Sequence, residues 1–251
     1  MSFAPATSHA NGSVSNDKGY AQRVAIFAMA TLAEQRGSDT ESHLVRVNRY
    51  VRLLAQQLAA RPEFADTLTA DYIDQLCDSV PLYGMGSVGV PDRILLKPGR
   101  LTADELAILR THPKVAYEAL LRAEKTLGQP AAWLSVAKDL VLSHQEKWDG
   151  TGYPQGLWGA QIPFSARIVA LADVYDALIS NKVYKDGVSH DAAVKILGAE
   201  RGKHFDPDVV DAFLIVQEEF AAIAQHHADT DDDMQRKIEY MANAIAEQAH
   251  L

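Results

Sequence analysis

The sequence predicts an all-α fold, and three observations lead there. Apolar residues recur at helical spacing, most clearly Leu44, Val47, Val51, Leu54 and Leu58. That i, i+3, i+4 pattern puts them on one face of a helix. Cap chemistry also stands ahead of such runs: Thr102 is followed three residues later by Glu105, the signature of a reciprocal capping box. No segment of any length alternates apolar and polar residues as a half-buried strand would.

The elements follow in order. Residues 1–17 are small and polar and read as a disordered tail. Residues 20–36 form a helix whose apolar positions are Val24, Phe27, Met29 and Leu32. Asp39 and Thr40 supply N-cap chemistry for a helix to about Ala60, and Arg61-Pro62 ends it. Thr69 to Ser79 is the next helix. Gly84 to Gly99 holds four glycines and two prolines and is expected to be a loop. The Thr102 helix follows, then helices over 114–126 and 130–144, and a second loop from Gly150 to Gly159. Ser165–Ser180, with Ile168, Leu171, Val174 and Leu178, is apolar enough to lie deep in the bundle. Ser189 caps another helix, and Asp206-Pro207 starts the next with proline in its first turn. The acidic run Asp229 to Asp233 reads as a solvated linker. A last helix, 234–249, carries Ile238, Met241, Ile245 and Ala246 and is expected to dock on the body. The organisation is a tail (1–17), one helical domain of seven to ten helices (18–228), and an acidic linker with a C-terminal helix (229–251).

Composition narrows the function. The chain has 251 residues, 47% hydrophobic and 23% charged, as in an ordinary globular protein. Its net charge of −9 disfavours a broad DNA- or RNA-binding surface. A local basic pocket for a small anion remains compatible with that charge. Cys77 is the single cysteine, so there is no disulfide framework. No apolar run approaches the ~20 residues of a membrane span, and the N-terminal segment does not read as a secretory signal. The expected location is cytoplasmic, without a membrane partner.

Six motifs recur in a fixed order: Asp39-Thr40-Glu41-Ser42-His43, Val90-Pro91-Asp92, His112-Pro113, His144-Gln145-Glu146 with Gly152-Tyr153-Pro154, Ala172-Asp173-Val174-Tyr175-Asp176, and Phe205-Asp206-Pro207. This set resembles the HD-GYP phosphohydrolases, over roughly residues 20–225. It is most similar to members that follow a receiver domain in two-component regulators. The resemblance implies an HD-type helical bundle with long glycine-rich loops, hydrolysis of cyclic-di-GMP, and bound divalent metal. It also implies metal-ligand roles for Asp39, His43, His112, His144 and Asp173, and phosphate-binding roles for Lys182 and Lys185. The loop around Gly152, Tyr153 and Pro154 would dock partners such as a diguanylate-cyclase (GGDEF-type) domain, with Trp148, Tyr153 and Trp158 as aromatic anchors.

The central ligand pair departs from that pattern. Tyr83 and Gly84 stand where the resemblance places the metal-binding His and Asp. A phenol of pKa ~10 is a poor ligand near neutral pH, and Gly84 offers no side chain at all. Gln145 stands in place of a second histidine, and an amide oxygen ligates transition metals weakly. Ser87 replaces a lysine near the scissile phosphate. Phosphodiester hydrolysis calls for a metal-bound hydroxide and Lewis-acid support, so no intact catalytic set is expected. The leading expectation is a silent HD-GYP protein that binds cyclic-di-GMP, a signalling protein, or both. Metal content would then be one divalent ion (Fe, Mn or Zn) or none, and a homodimer is compatible. The alternatives are a working phosphodiesterase with Glu146 or Asp39 recruited to a rearranged site, and a structural partner that binds no nucleotide.

Overall fold

The computed structural model describes residues 10–34, 36, 40, 42–97, 99–128, 132–181 and 186–248. The described residues form thirteen α-helices and no strand. They are α1 (Ala10–Glu34), α2 (Ser42–Ala59), α3 (Pro62–Ala65), α4 (Ala70–Ser79), α5 (Asp92–Leu95), α6 (Ala103–Leu109) and α7 (His112–Leu127). Then come α8 (Ala132–Ser143), α9 (Phe164–Ile179), α10 (His190–Ala199), α11 (Pro207–Ile215), α12 (Gln217–His226) and α13 (Asp231–Gln248). The count exceeds the expected seven to ten partly because α3 and α5 are single turns.

The core is built on α2 and α9. Leu44, Val47, Val51, Leu54 and Leu58 of α2 are all essentially inaccessible, and each such burial stabilises by about 1.5–3 kcal/mol. Val169, Ala172 and Asp176 share the face of α9 that meets them. Tyr50 stacks on Phe220 at 4.4 Å, and Tyr175 meets it edge-on at 5.2 Å. The same two helices carry His43 and Arg46 on one side and Asp173 and Asp176 on the other, so core packing fixes the site.

Cap chemistry is largely as expected. Thr102 and Glu105 form the capping box of α6, Thr69 and Ser189 cap α4 and α10, and Asp206 caps α11. Thr40 departs from this. Its hydroxyl donates to Asp229, and α2 begins at Ser42 with Thr40 contributing only its carbonyl, to His43 N. Asp39 lies outside the described residues.

Four further expectations are corrected. On α1, Val24, Phe27, Met29 and Leu32 are exposed, whereas Ile26, Ala30 and Ala33 are buried. Small residues at 30 and 33 let the helix backbone approach its neighbours. This helix starts at Ala10, within the stretch read as a tail. The Gly84–Gly99 stretch is coiled, not irregular: Met85–Gly89 is a 3₁₀ helix, followed by α5. A Cβ on Gly86 would stand 1.9 Å from His112 O, so this glycine serves the close packing of the turn on α7. Finally, Asp229 is not a solvated linker residue. Its carboxylate, 11% exposed, accepts from Arg46 at 3.1 Å. Asp231–Asp233 lie in the first turn of α13, where negative charge complements the helix dipole. That helix docks: Lys237 Nζ donates to Glu34 O at 3.0 Å and Met241 is buried, though Ile238 is exposed. Ile245 and Ala246 lie outside the residues whose side chains are described.

Candidate functional site

A cavity of about 230 Å³ opens between the start of α2, the 3₁₀ turns, the α6–α7 corner and α9. His43, Tyr83, Gly84, Ser87, His112, His144, Gln145 and Asp173 all line it, with Glu34 from the end of α1. Eight positions singled out in the sequence thus converge on one place. Asp39, Lys182 and Lys185 lie outside the described residues.

The site has two halves. In the first, Tyr83 follows the turn Val80–Leu82 and is 5% exposed. Its hydroxyl donates to Asp173 Oδ1 at 2.6 Å and lies 2.7 Å from His43 Nε2. His43 Nδ1 lies 2.8 Å from Asp176 Oδ2. Burial pulls the His43 pKa down, but the hydrogen bond and charge of Asp176, with Glu34 and Asp173, more than reverse this and push it up to about 9. His43 is therefore an imidazolium at neutral pH, and both ring nitrogens donate. Burial, then the neighbouring carboxylates, holds the Tyr83 phenol well above its ordinary pKa, so it stays neutral. Asp173 is raised by burial against the opposing charge of His43. Asp176 is fully buried; despite that, its bonds to His43 and Arg46 hold it below the usual carboxylate range.

Arg46 backs this half. Nε and Nη2 grip the two oxygens of Asp176 at 2.6 and 2.9 Å, a bidentate pair of the stronger kind. Nη1 bonds His227 O and Asp229. A chain of polar contacts thus runs from the α12–α13 junction to Asp173.

In the second half, His112 Nε2 and His144 Nε2 face one another at 3.1 Å. His112 Nδ1 lies 2.9 Å from Leu109 O, and His144 Nδ1 lies 3.0 Å from Val141 O. A carbonyl only accepts, so both Nδ1 atoms carry hydrogen and both Nε2 atoms present lone pairs. Burial, then the neighbouring His112, pulls the His144 pKa down to about 3; burial lowers that of His112 too.

The two halves answer differently to a metal ion. His112 and His144 are neutral imidazoles with tautomers fixed by carbonyls, which suits a divalent transition metal. The Tyr83 hydroxyl stands between His43 Nε2 and Asp173 Oδ1, 2.7 and 2.6 Å from them, and fills the space an ion between those two ligands would take, so that half does not fit. Among the described residues, no group of three or more His, Cys, Asp or Glu is arranged to hold an ion.

The loop after α8 frames the rim. Glu146 is buried and accepts from Gln155 N and Leu157 N at 2.7 and 3.1 Å. It therefore clamps the loop rather than joining the site as a recruited ligand. A Cβ on Gly152 would stand 2.3 Å from Lys147 N, so only glycine fits there. Trp158 is 64% exposed, while Arg167 stacks on Trp148.

Sequence reasoning assigned no role to Asp176, Arg46 or Glu34. The three-residue spacings Asp173–Asp176 and His43–Arg46, each on one helix face, were the available signal.

Residues 28–209 match the HD domain family. A cyclic di-GMP phosphodiesterase of Vibrio cholerae serotype O1 is 50% identical over 206 residues, covering 82% of this chain and 42% of that protein. The cyclic di-GMP phosphodiesterase response regulator RpfG of Xanthomonas campestris pv. campestris is 39% identical over 193 residues, covering 77% and 47%. The solved structure of a cyclic GMP-AMP-specific phosphodiesterase of V. cholerae shares the fold, with a TM-score of 0.54, 16% identity, and coverage of 88% and 59%. This chain belongs to the HD domain family, and within it to the HD-GYP type. It spans about half the length of the curated relatives it matches. No helix among the described residues is long and apolar enough to cross a membrane.

Proposed function

We propose that this chain is a catalytically silent HD-GYP protein that binds a cyclic dinucleotide and acts through protein contacts. The observation that carries this reading is the Tyr83 hydroxyl, within 2.6 and 2.7 Å of Asp173 and His43. It replaces ion coordination with a phenol–imidazolium–carboxylate network. Gly84 leaves no carboxylate to bridge two metals, the arrangement that generates hydroxide and stabilises a phosphoryl transition state. One divalent ion (Fe, Mn or Zn) at His112 and His144 is the metal content this reading allows. The ligand class follows from relatives that act on cyclic di-GMP, with Lys182 and Lys185 as phosphate contacts. The exposed Trp158 is the anchor for a GGDEF-type domain or another signalling protein.

Calorimetric titration with cyclic-di-GMP tests the reading, with the nucleotide recovered afterwards. Saturable binding and intact nucleotide support it. Absence of binding, or recovery of linear product, overturns it. A second reading, hydrolysis at a rearranged site, draws support from the facing Nε2 atoms of His112 and His144 and from the 50% identical phosphodiesterase.

A further inference from the structure

The cavity poses an electrostatic problem for a phosphodiester. Its described lining holds the carboxylates of Glu34 and Asp173 and no lysine or arginine, and its one cation, His43, is already bonded to Asp176 and Tyr83. A cyclic dinucleotide is dianionic, so it needs positive charge at the mouth. Arg110 ends α6, between Leu109 and His112, both of which line the cavity. Its guanidinium lies over the Tyr153 ring, 5.1 Å from the centroid. Tyr153 meets the His112 ring edge-on at 6.3 Å, and its backbone N donates to Gln145 O at 3.2 Å.

Arg23, Arg36, Arg52 and Arg201 each pair with a carboxylate. Among the described residues Arg110 pairs with no carboxylate, as is also true of Arg49, Arg93 and Arg100, but Arg110 is the one of these that lies over an aromatic ring of the loop bordering the cavity. A helix C-terminus accounts for a cation in general but not for its stacking on the loop that borders the cavity. No ion pair or hydrogen bond among the described residues takes the guanidinium N–H fork, which can grip two oxygens of one anion.

We propose that Arg110, held over the Tyr153 ring, is a phosphate-binding residue at the mouth of this cavity, taking two non-bridging oxygens of a cyclic-dinucleotide phosphodiester. This rests on the ligand reading above. Tyr153 acts as the positioning residue. Its ring holds the guanidinium beside the cavity, so the pair recognises a phosphate by position as well as charge.

The test is titration of the full chain with cyclic-di-GMP across a salt series, for wild type, Arg110→Ala, Arg110→Lys and Tyr153→Leu. Arg110→Ala is expected to weaken Kd by ~10- to 100-fold, as for a lost charge-assisted pair, and to flatten the salt dependence. Arg110→Lys keeps the charge but loses the fork, and is expected to weaken binding by ~5-fold with the salt slope retained. Tyr153→Leu is expected to fall between them. Should Arg110→Ala be poorly folded, the lysine variant decides. Wild-type binding with every variant within twofold overturns this proposal alone. Failure of the wild type to bind overturns the ligand reading, and this proposal with it.

Discussion

The Tyr83 hydroxyl bonds Asp173 Oδ1 at 2.6 Å from across the bundle, ninety residues away in sequence. With His43 on its other side, it joins α2 and α9 in one buried hydrogen-bond network. Tyr83→Phe should leave the His43 Nε2–H and one Asp173 oxygen without this partner in a buried setting. The expected loss of stability is about 1–3 kcal/mol, measured by chemical denaturation with the m-value unchanged.

Stability should peak near neutral pH. The His43 pKa is raised from 6.5 to about 9 on folding. Its contribution is full below the unfolded value and is lost as pH rises through about 9, an effect of about 3 kcal/mol. The His144 pKa is lowered from 6.5 to about 3. Its neutral form is favoured above the unfolded value, and stability falls as pH drops from there toward about 3. Denaturation curves between these limits should show both limbs. His43→Gln should remove the alkaline one and His144→Gln the acid one.

Two neighbouring glycines should behave oppositely. A Cβ on Gly84 meets nothing within 4 Å, and its φ is −82. Gly84→Asp is therefore expected to fold with stability changed by about 0.5 kcal/mol or less. Gly86→Ala collides with His112 O and should destabilise by several kcal/mol, at the severe end for a point change. Thermal melts of the two variants compare them directly.

Arg46 lies between Asp176 and Asp229 and is 3% exposed. Arg46→Ala would leave buried carboxylates uncompensated, at a cost of about 3–5 kcal/mol. Arg46→Lys should recover only part of this, because a lysine cannot span both oxygens of Asp176. Equal stability of wild type and Arg46→Ala in urea would contradict the network.

Metal analysis after loading with Mn²⁺ or Fe²⁺ should find at most one ion per chain, lost in His112→Ala. The combined change Tyr83→His, Gly84→Asp, Ser87→Lys and Gln145→His should raise the metal content and restore some hydrolysis. Two ions in the unaltered chain would show that the Tyr83 half accepts metal after all.

Much of this was legible in the sequence. The helices were readable because apolar periodicity and cap residues are local signals, as at Thr102–Glu105 and Ser189. Convergence of His43, Tyr83, His112, His144 and Asp173 was implied by the resemblance to the HD-GYP family, not by any local signal. Other features were not readable, because they depend on distances between remote segments. The Arg46–Asp229 pair joins residues 183 apart. The buried stripe of α1 rests on Ala30 and Ala33, whose hydrophobic signal is weak beside Phe27 and Leu32. Gly84 and Gly86 look alike in sequence, and only the nearness of His112 separates them.

Catalytic silence is decided by release of linear product from cyclic-di-GMP by protein purified anaerobically and loaded with Mn²⁺ or Fe²⁺. An active relative serves as control. No product above the buffer rate is expected while the control turns over. Turnover by this chain at a comparable rate would contradict that silence and assign the chemistry to a site rebuilt around His112 and His144.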